Sequence, residues 1–151
     1  MDVDTERFNQ GIIPHSSVLK QGNLEFKNYE LKYWPETELV LWGLNFEVKA
    51  GEKIGIVGWT GAGKSTICLA LCRIVEAHQG GIFIDGVDIS TIELGYLRSK
   101  ITIIPQDPTI FEGTLKFNLD PSGDNPDEEI LRLINKACLT NLLTWDPLGL
   151  D

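Results

Sequence analysis

The chain has 151 residues, and 42% of them are hydrophobic, so about one ordinary domain with a real core is expected and wholesale disorder is disfavoured. Its net charge of −9 argues against a broad surface for a nucleic-acid backbone, so phosphate recognition should be local. No apolar run approaches the roughly 20 residues of a membrane span, and the polar, acidic N-terminus is not a secretory signal.

The first predicted elements are a linker and two strands. Residues 1–21 carry turn-forming residues and little periodicity, which predicts a linker. Apolar residues alternate over Asn23–Tyr33, which predicts a strand with an irregularity near Asn28. A second strand is predicted over Leu44–Val48.

A third strand, a glycine-rich turn and a helix follow. Ile54–Val57 is a short, continuous apolar run, which is typical of a strand buried on both faces of a parallel sheet. After the turn, apolar residues three and four apart predict a helix over Lys64–Ala77, closed by Gln79–Gly81. Ile82–Ile84 is then predicted to form another short strand.

The last third of the chain is predicted to hold one more strand and one more helix. The strand covers Ile101–Ile104. Asn125 is a good N-cap, Pro126 suits the first helical position, and Asp127-Glu128-Glu129 complement the helix dipole. Apolar spacing carries the helix to Cys138, so the acidic run is interpreted as a helix start and not as a metal site.

The three cysteines do not predict a disulfide framework, and a reducing compartment fits their number and spacing. Cys68 and Cys72 are four residues apart on a predicted helix, so a shared metal ion is one interpretation. No convincing further ligands lie nearby in the sequence. The favoured interpretation is that both are small packing residues.

One segment fits the phosphate-binding (Walker A) pattern G-x-x-x-x-G-K-[ST]: Gly58-Trp59-Thr60-Gly61-Ala62-Gly63-Lys64-Ser65. It follows an apolar predicted strand and opens a helix, which is the setting that phosphate binding requires. Glycines let the backbone turn tightly and point its amides into one concavity, where the helix N-terminus adds positive potential. Lys64 can reach the β- and γ-phosphates, the Ser65 hydroxyl can bind Mg²⁺, and Thr66 can hydrogen-bond a phosphate oxygen.

The residues around this loop resemble a known family. The stretch Leu41–Thr66 (LWGLNFEVKAGEKIGIVGWTGAGKST) and the stretch Gly81–Ile89 (GIFIDGVDI) resemble the nucleotide-binding domain of ABC transporters. Ile101–Pro121 (ITIIPQDPTIFEGTLKFNLDP) is similar to the second such domain of the C subfamily, the multidrug-resistance-associated proteins. Even Thr5-Glu6-Arg7 resembles the linker that follows that family's last membrane helix. The resemblance thus covers nearly the whole chain.

The resemblance implies an α/β fold: a P-loop NTPase core, an antiparallel β-subdomain and the start of an α-helical subdomain. Residues 22–151 would then be the N-terminal part of an ABC-type ATP-binding domain behind a linker at 1–21. The family's signature loop, Walker B strand with its catalytic Glu, and switch His have no counterpart in the sequence. We therefore expect a truncated domain that binds ATP but hydrolyses it poorly, if at all, by itself.

The resemblance also assigns site residues outside the loop. Tyr33 falls where the family places an aromatic ring that stacks on adenine, with Trp34 as the alternative. Gln106 falls at the Q-loop position, where its amide oxygen would approach Mg²⁺ or the attacking water, so it is the candidate catalytic residue. Trp59 departs from the family's usual residue, but phosphate binding should survive because the backbone makes the contacts. Asp85 follows a strand that mimics Walker B, yet it precedes the Q-loop and is not expected to bind Mg²⁺.

The implied function is that of the ATP- and Mg²⁺-binding module of a transporter whose ATP hydrolysis drives export across a membrane. The implied partners are the transporter's transmembrane domain and a second nucleotide-binding domain, at the cytoplasmic face. One alternative is a non-hydrolytic regulatory nucleotide-binding domain. The other is a different P-loop NTPase, although a GTPase would need an Asn-Lys-x-Asp base reader, and Asn135-Lys136 is followed by Ala137-Cys138.

Overall fold

The computed structural model describes residues 11–13 and 19–144. Among these, the residues up to Ile103 form one compact unit, and those from Ile104 onward form a second. Part of the predicted linker at 1–21, including Thr5-Glu6-Arg7, lies outside the described residues. The two units are described in turn.

The first unit is built on a four-stranded antiparallel sheet. Its strands are β1 (Leu24–Leu31), β2 (Leu41–Val48), β3 (Gln79–Ile84) and β4 (Val87–Asp88), in the order β2-β1-β3-β4. The strands predicted in this region are confirmed, although β2 and β3 each begin three residues earlier than predicted. Gln79–Gly81 was predicted to close the preceding helix, and that prediction was wrong because these residues pair with β1 as the start of β3. The antiparallel β-portion of the expected α/β fold is therefore present.

The predicted irregularity in β1 is confirmed at Asn28. The pairing register shifts between Phe26 and Tyr29, and Asn28 has a φ of 44°. The Asn45 side chain stabilises the bulge, because its oxygen accepts from the Asn28 amide at 2.9 Å and its nitrogen donates to the Asn28 side chain at 2.8 Å. As a result Phe26 and Tyr29 are both buried, with their rings edge to face at 5.4 Å between centroids.

The helix that follows the glycine-rich turn, α1, runs over Lys64–Leu71 and is shorter than predicted. Arg73 has a left-handed φ of 50°, and the Ile74 amide donates to the Leu69 carbonyl at 2.9 Å, which forms a Schellman motif. The predicted continuation to Ala77 was therefore wrong. Ile74 lies beyond the end of α1 and is 55% exposed.

A 3-10 turn at Ile89–Thr91 and the short helix α2 (Leu94–Arg98) complete the first unit. The Arg73 guanidinium donates to the carbonyl oxygens of Ile89 and Ile92 at 3.0 and 2.7 Å, which ties the end of α1 to this segment. The sheet, α1 and α2 enclose one apolar cluster: Phe26, Tyr29, Leu31, Leu41, Ile67, Ala70, Ile82, Ile89, Ile92 and Leu97.

Two predicted strands, Ile54–Val57 and Ile101–Ile104, are not formed, and these predictions were wrong. Val57 and Ile104 are 94% and 91% exposed. A strand needs a neighbour that completes its backbone hydrogen bonds, and among residues 11–13 and 19–144 no strand pairs with either segment. The parallel sheet expected from the apolar run is accordingly not seen in this part of the chain.

The second unit contains α3 (Leu115–Leu119), α4 (Asp127–Lys136) and a 3-10 turn at Thr140–Thr144. The acidic run forms the first turn of α4, which confirms its interpretation as a helix start. The N-cap is Pro126 instead of the predicted Asn125. The helix also ends before Cys138, whose φ of 60° closes it with a second Schellman motif.

The Asp85 carboxylate ties the segment before β1 to the β3–β4 turn. It accepts hydrogen bonds from the backbone amides of Gln21, Gly22 and Asn23 at 2.8–3.1 Å. Burial acts to raise the pKa of Asp85, but these amide donors outweigh burial and lower the pKa below its ordinary value of 3.8. The contacts give Asp85 a structural role.

Asp85→Asn is expected to destabilise the chain by about 1 kcal/mol at pH 7, because the amide is a weaker acceptor than the carboxylate. Because the folded-state pKa is lowered, this stabilisation is present above the ordinary pKa and is lost as the pH falls through the folded value. The two proteins should therefore converge in stability in strong acid. Urea unfolding at pH 7 and in strong acid tests this, with exposed Asp107→Asn as the control; the same difference in stability under both conditions would contradict it.

Candidate nucleotide-binding site

The glycine-rich turn adopts a compact loop that leads directly into α1. The Ala62 amide donates to the Trp59 carbonyl at 3.0 Å, and Gly61 and Gly63 both have left-handed φ values, 84° and 81°. Gly63 is buried, and a Cβ at this position would lie 2.9 Å from a methyl carbon of Leu41 on β2. Glycine at position 63 therefore satisfies both the backbone conformation and the close packing against the sheet.

Lys64 curls back over the loop. Its Nζ atom donates to the carbonyl oxygens of Gly58 and Trp59, each at 2.7 Å. These bonds hold the ammonium group above the turn. The residues of the turn, Gly58 to Ala62, are exposed. The loop thus carries a positive charge at an accessible surface.

The first turn of α1 adds hydroxyl groups and dipolar potential at the same place. It contains no acidic side chain, so nothing in that turn offsets the positive end of the helix dipole. Ser65 is exposed, whereas Thr66 is 5% exposed. An anion at this end of the helix would meet backbone amides and hydroxyl donors together.

Tyr33, which is 33 positions away from Thr66 in the sequence, contacts this helix. Its hydroxyl forms a hydrogen bond with Thr66 Oγ1 at 2.9 Å, and its side chain is 42% exposed. Trp34, the alternative ring, is 71% exposed and belongs to a turn in which Thr37 bonds its backbone. The structure therefore brings Tyr33 to the phosphate loop, with part of its ring surface accessible.

Other predicted residues are not brought together in this way. Gln106 belongs to the second unit, on an exposed irregular segment, and its role stays a prediction. Trp59 is 89% exposed.

Cys72 is buried, as a packing residue would be, but Cys68 is exposed. Across the described ranges no three His, Cys, Asp or Glu side chains cluster as metal ligands, and no helix there is long and apolar enough to cross a membrane.

Two features of the site could not be read from the sequence. One is the hydrogen bond between Tyr33 and Thr66, and the other is the packing of Gly63 against Leu41. Both join residues that are far apart in the chain. The only signal was indirect: an aromatic residue at the end of a predicted strand, and a third glycine in the loop.

Comparisons with known proteins point to one family. The family model described as ABC transporter matches residues 41–145. The chain is 52% identical over 132 residues to ATP-binding cassette sub-family C member 3 of Rattus norvegicus, covering 87% of this chain and 9% of that protein. It is 49% identical over 131 residues to sub-family C member 2 of Homo sapiens and 50% identical over 131 residues to ABC transporter C family member 14 of Dictyostelium discoideum. Those matches cover 87% of this chain and 8% and 10% of the two proteins.

Proposed function

Because the chain belongs to the ABC transporter family, we propose that it binds ATP at the loop and first helical turn spanning Gly58–Thr66. The single observation that carries the proposal is the Lys64 ammonium group, held over an exposed glycine turn at the N-terminus of α1. This arrangement supplies a cation, backbone amides and a helix dipole for one triphosphate. The family match favours this function over that of a different P-loop NTPase.

Each residue of the loop would have a limited task. Lys64 would exchange its bonds to the Gly58 and Trp59 carbonyls for bonds to phosphate oxygens, because the phosphate oxygens carry negative charge and the carbonyls are neutral. The backbone of Trp59–Gly63 would line the phosphates, and the exposed Trp59 side chain would take no part. Thr66 would donate to a phosphate oxygen.

Mg²⁺ fits the donors that the chain offers, since hydroxyl and amide oxygens are the kind of ligand it prefers. The Ser65 hydroxyl would bind the ion, and Ser65 is exposed, as this role requires. The family resemblance alone assigns Gln106 as a second ligand and as the residue that would orient a water molecule. Bound Mg²⁺ would neutralise charge on the β- and γ-phosphates.

The chain spans about a tenth of the length of the curated relatives that it matches, at 8–10% of each. We therefore propose, for the longer protein, that ATP hydrolysis is coupled to export across a membrane. Its nucleotide-binding domain would work at the cytoplasmic face with a transmembrane domain and a second nucleotide-binding domain. The names of the relatives, which are ATP-binding cassette and ABC transporter proteins, support this assignment.

Substitutions that remove or keep the aromatic ring test the proposed role of Tyr33 in binding adenine. Tyr33→Ala is expected to weaken MgATP binding by about tenfold, because base stacking on an aromatic side chain contributes roughly 1–3 kcal/mol. Tyr33→Phe should lose much less, because it keeps the ring. Calorimetric titration of the whole chain measures both. A larger loss in the matched control Trp34→Ala, with none in Tyr33→Ala, would assign stacking to Trp34.

A further inference from the structure

We infer that Tyr33 is also a positioning residue for the phosphates, acting through Thr66. Its hydroxyl would donate to Thr66 Oγ1 and so turn the Thr66 hydroxyl hydrogen toward the bound phosphate. The observation is the 2.9 Å hydrogen bond between the two side chains, one of them two residues beyond the end of β1 and the other in the first turn of α1. The inference rests on the proposed function and adds a second role to the ring that stacks on the base.

The direction of the hydrogen bond follows from the chemistry of a phosphate ligand. Each hydroxyl has one hydrogen and two lone pairs, and a phosphate oxygen can only accept. If Thr66 donated to Tyr33, the phosphate would face the lone pairs of Thr66. When Tyr33 donates instead, the hydrogen of Thr66 is left for the phosphate. A bound phosphate therefore selects the arrangement Tyr33 O–H to Thr66 O–H to phosphate oxygen.

The different burial of Thr66 and Tyr33 fits their proposed roles in phosphate binding and base stacking. Thr66 is 5% exposed, so its surroundings restrict its side chain. Tyr33 is 42% exposed, which leaves part of its ring accessible to a base while its hydroxyl is engaged.

The consequence is that base recognition and phosphate recognition share one side chain. Hydrogen bonds in series strengthen one another, so the donor strength of Thr66 toward phosphate should depend on the Tyr33 hydroxyl. Phenylalanine at position 33 would stack equally well but would leave Thr66 free to turn away. The Tyr33 hydroxyl should therefore matter for ligands with phosphates and not for the bare nucleoside.

A double-mutant cycle on the full 151-residue chain tests this, with Tyr33→Phe, Thr66→Val and the double variant. The ligands are MgATP, magnesium tripolyphosphate and adenosine, titrated by calorimetry. Tyr33→Phe should weaken MgATP and tripolyphosphate by about threefold, the size of one net hydrogen bond, and leave adenosine unchanged. In the Thr66→Val background the same change should cost nothing further. Thr66→Ser keeps the hydroxyl and should retain the Tyr33 effect.

Three results would overturn the inference while leaving ATP binding intact. They are unchanged phosphate affinity in Tyr33→Phe, an equal loss for adenosine, and additive losses in the double variant. Thermal melting of each variant separates a local effect from unfolding, and Thr66→Ser serves where Thr66→Val fails to fold. If the unsubstituted chain bound neither MgATP nor tripolyphosphate, the proposed function would fall, and the inference with it.

Discussion

Lys64→Ala is expected to lower the affinity for MgATP by at least about tenfold, because charge-assisted hydrogen bonds contribute roughly 1.5–3 kcal/mol each. In the free chain the ammonium group is already held over the loop by the Gly58 and Trp59 carbonyls. Little ordering is then needed when phosphates replace those carbonyls. Loss of the side chain removes the only lysine or arginine within the Gly58–Thr66 segment.

The matched control for this variant is Lys53→Ala, which removes an exposed lysine eleven positions earlier. It should leave MgATP affinity within about twofold of the unsubstituted chain, because exposed charges at a distance are screened by salt. Calorimetric titration at fixed ionic strength measures both proteins. Equal affinities for Lys64→Ala and the unsubstituted chain would show that the loop is not part of the nucleotide-binding site.

Gly80→Ala is expected to destabilise the first unit by about 3 kcal/mol, combining backbone strain with overpacking. Gly80 has a φ of 73°, in the region that residues with a side chain avoid. A Cβ there would lie 2.1 Å from the Asn28 carbonyl oxygen and 2.3 Å from that of Lys27. Both oxygens belong to β1 at the irregularity in its pairing with β3, beside the buried residue Tyr29.

Gly22→Ala is the control, because it shares the strain but not the clash. Gly22 has a φ of 85°, and a Cβ there would meet no atom within 4 Å. It should cost about 1 kcal/mol, the penalty for a left-handed residue with a side chain. Urea unfolding of both variants gives the difference. Similar losses of stability in the two variants would mean that β1 and β3 move apart at little cost. The clash would then not be the cause of the destabilisation.

The local features of the chain were readable from its sequence. The phosphate loop is a run of consecutive residues, so its glycines, its lysine and the start of the following helix could be recognised within that run. The acidic start of α4 was recognised for the same reason, since capping and dipole effects act within one turn. The ends of α1 and α4 were misjudged because a left-handed closing residue, Arg73 or Cys138, carries no sequence signal as clear as glycine.

The tertiary structure alone decided which distant residues complete these local features. Ile54–Val57 has the composition of a strand, yet a strand exists only where another segment accepts its hydrogen bonds, and no described strand does so. Tyr33 was assigned to adenine by resemblance, but its contact with Thr66 spans 33 positions of the chain and depends on how β1 packs beside α1. Short-range conformation is encoded by neighbouring residues, whereas pairing and packing are determined by segments that meet only when the whole unit folds.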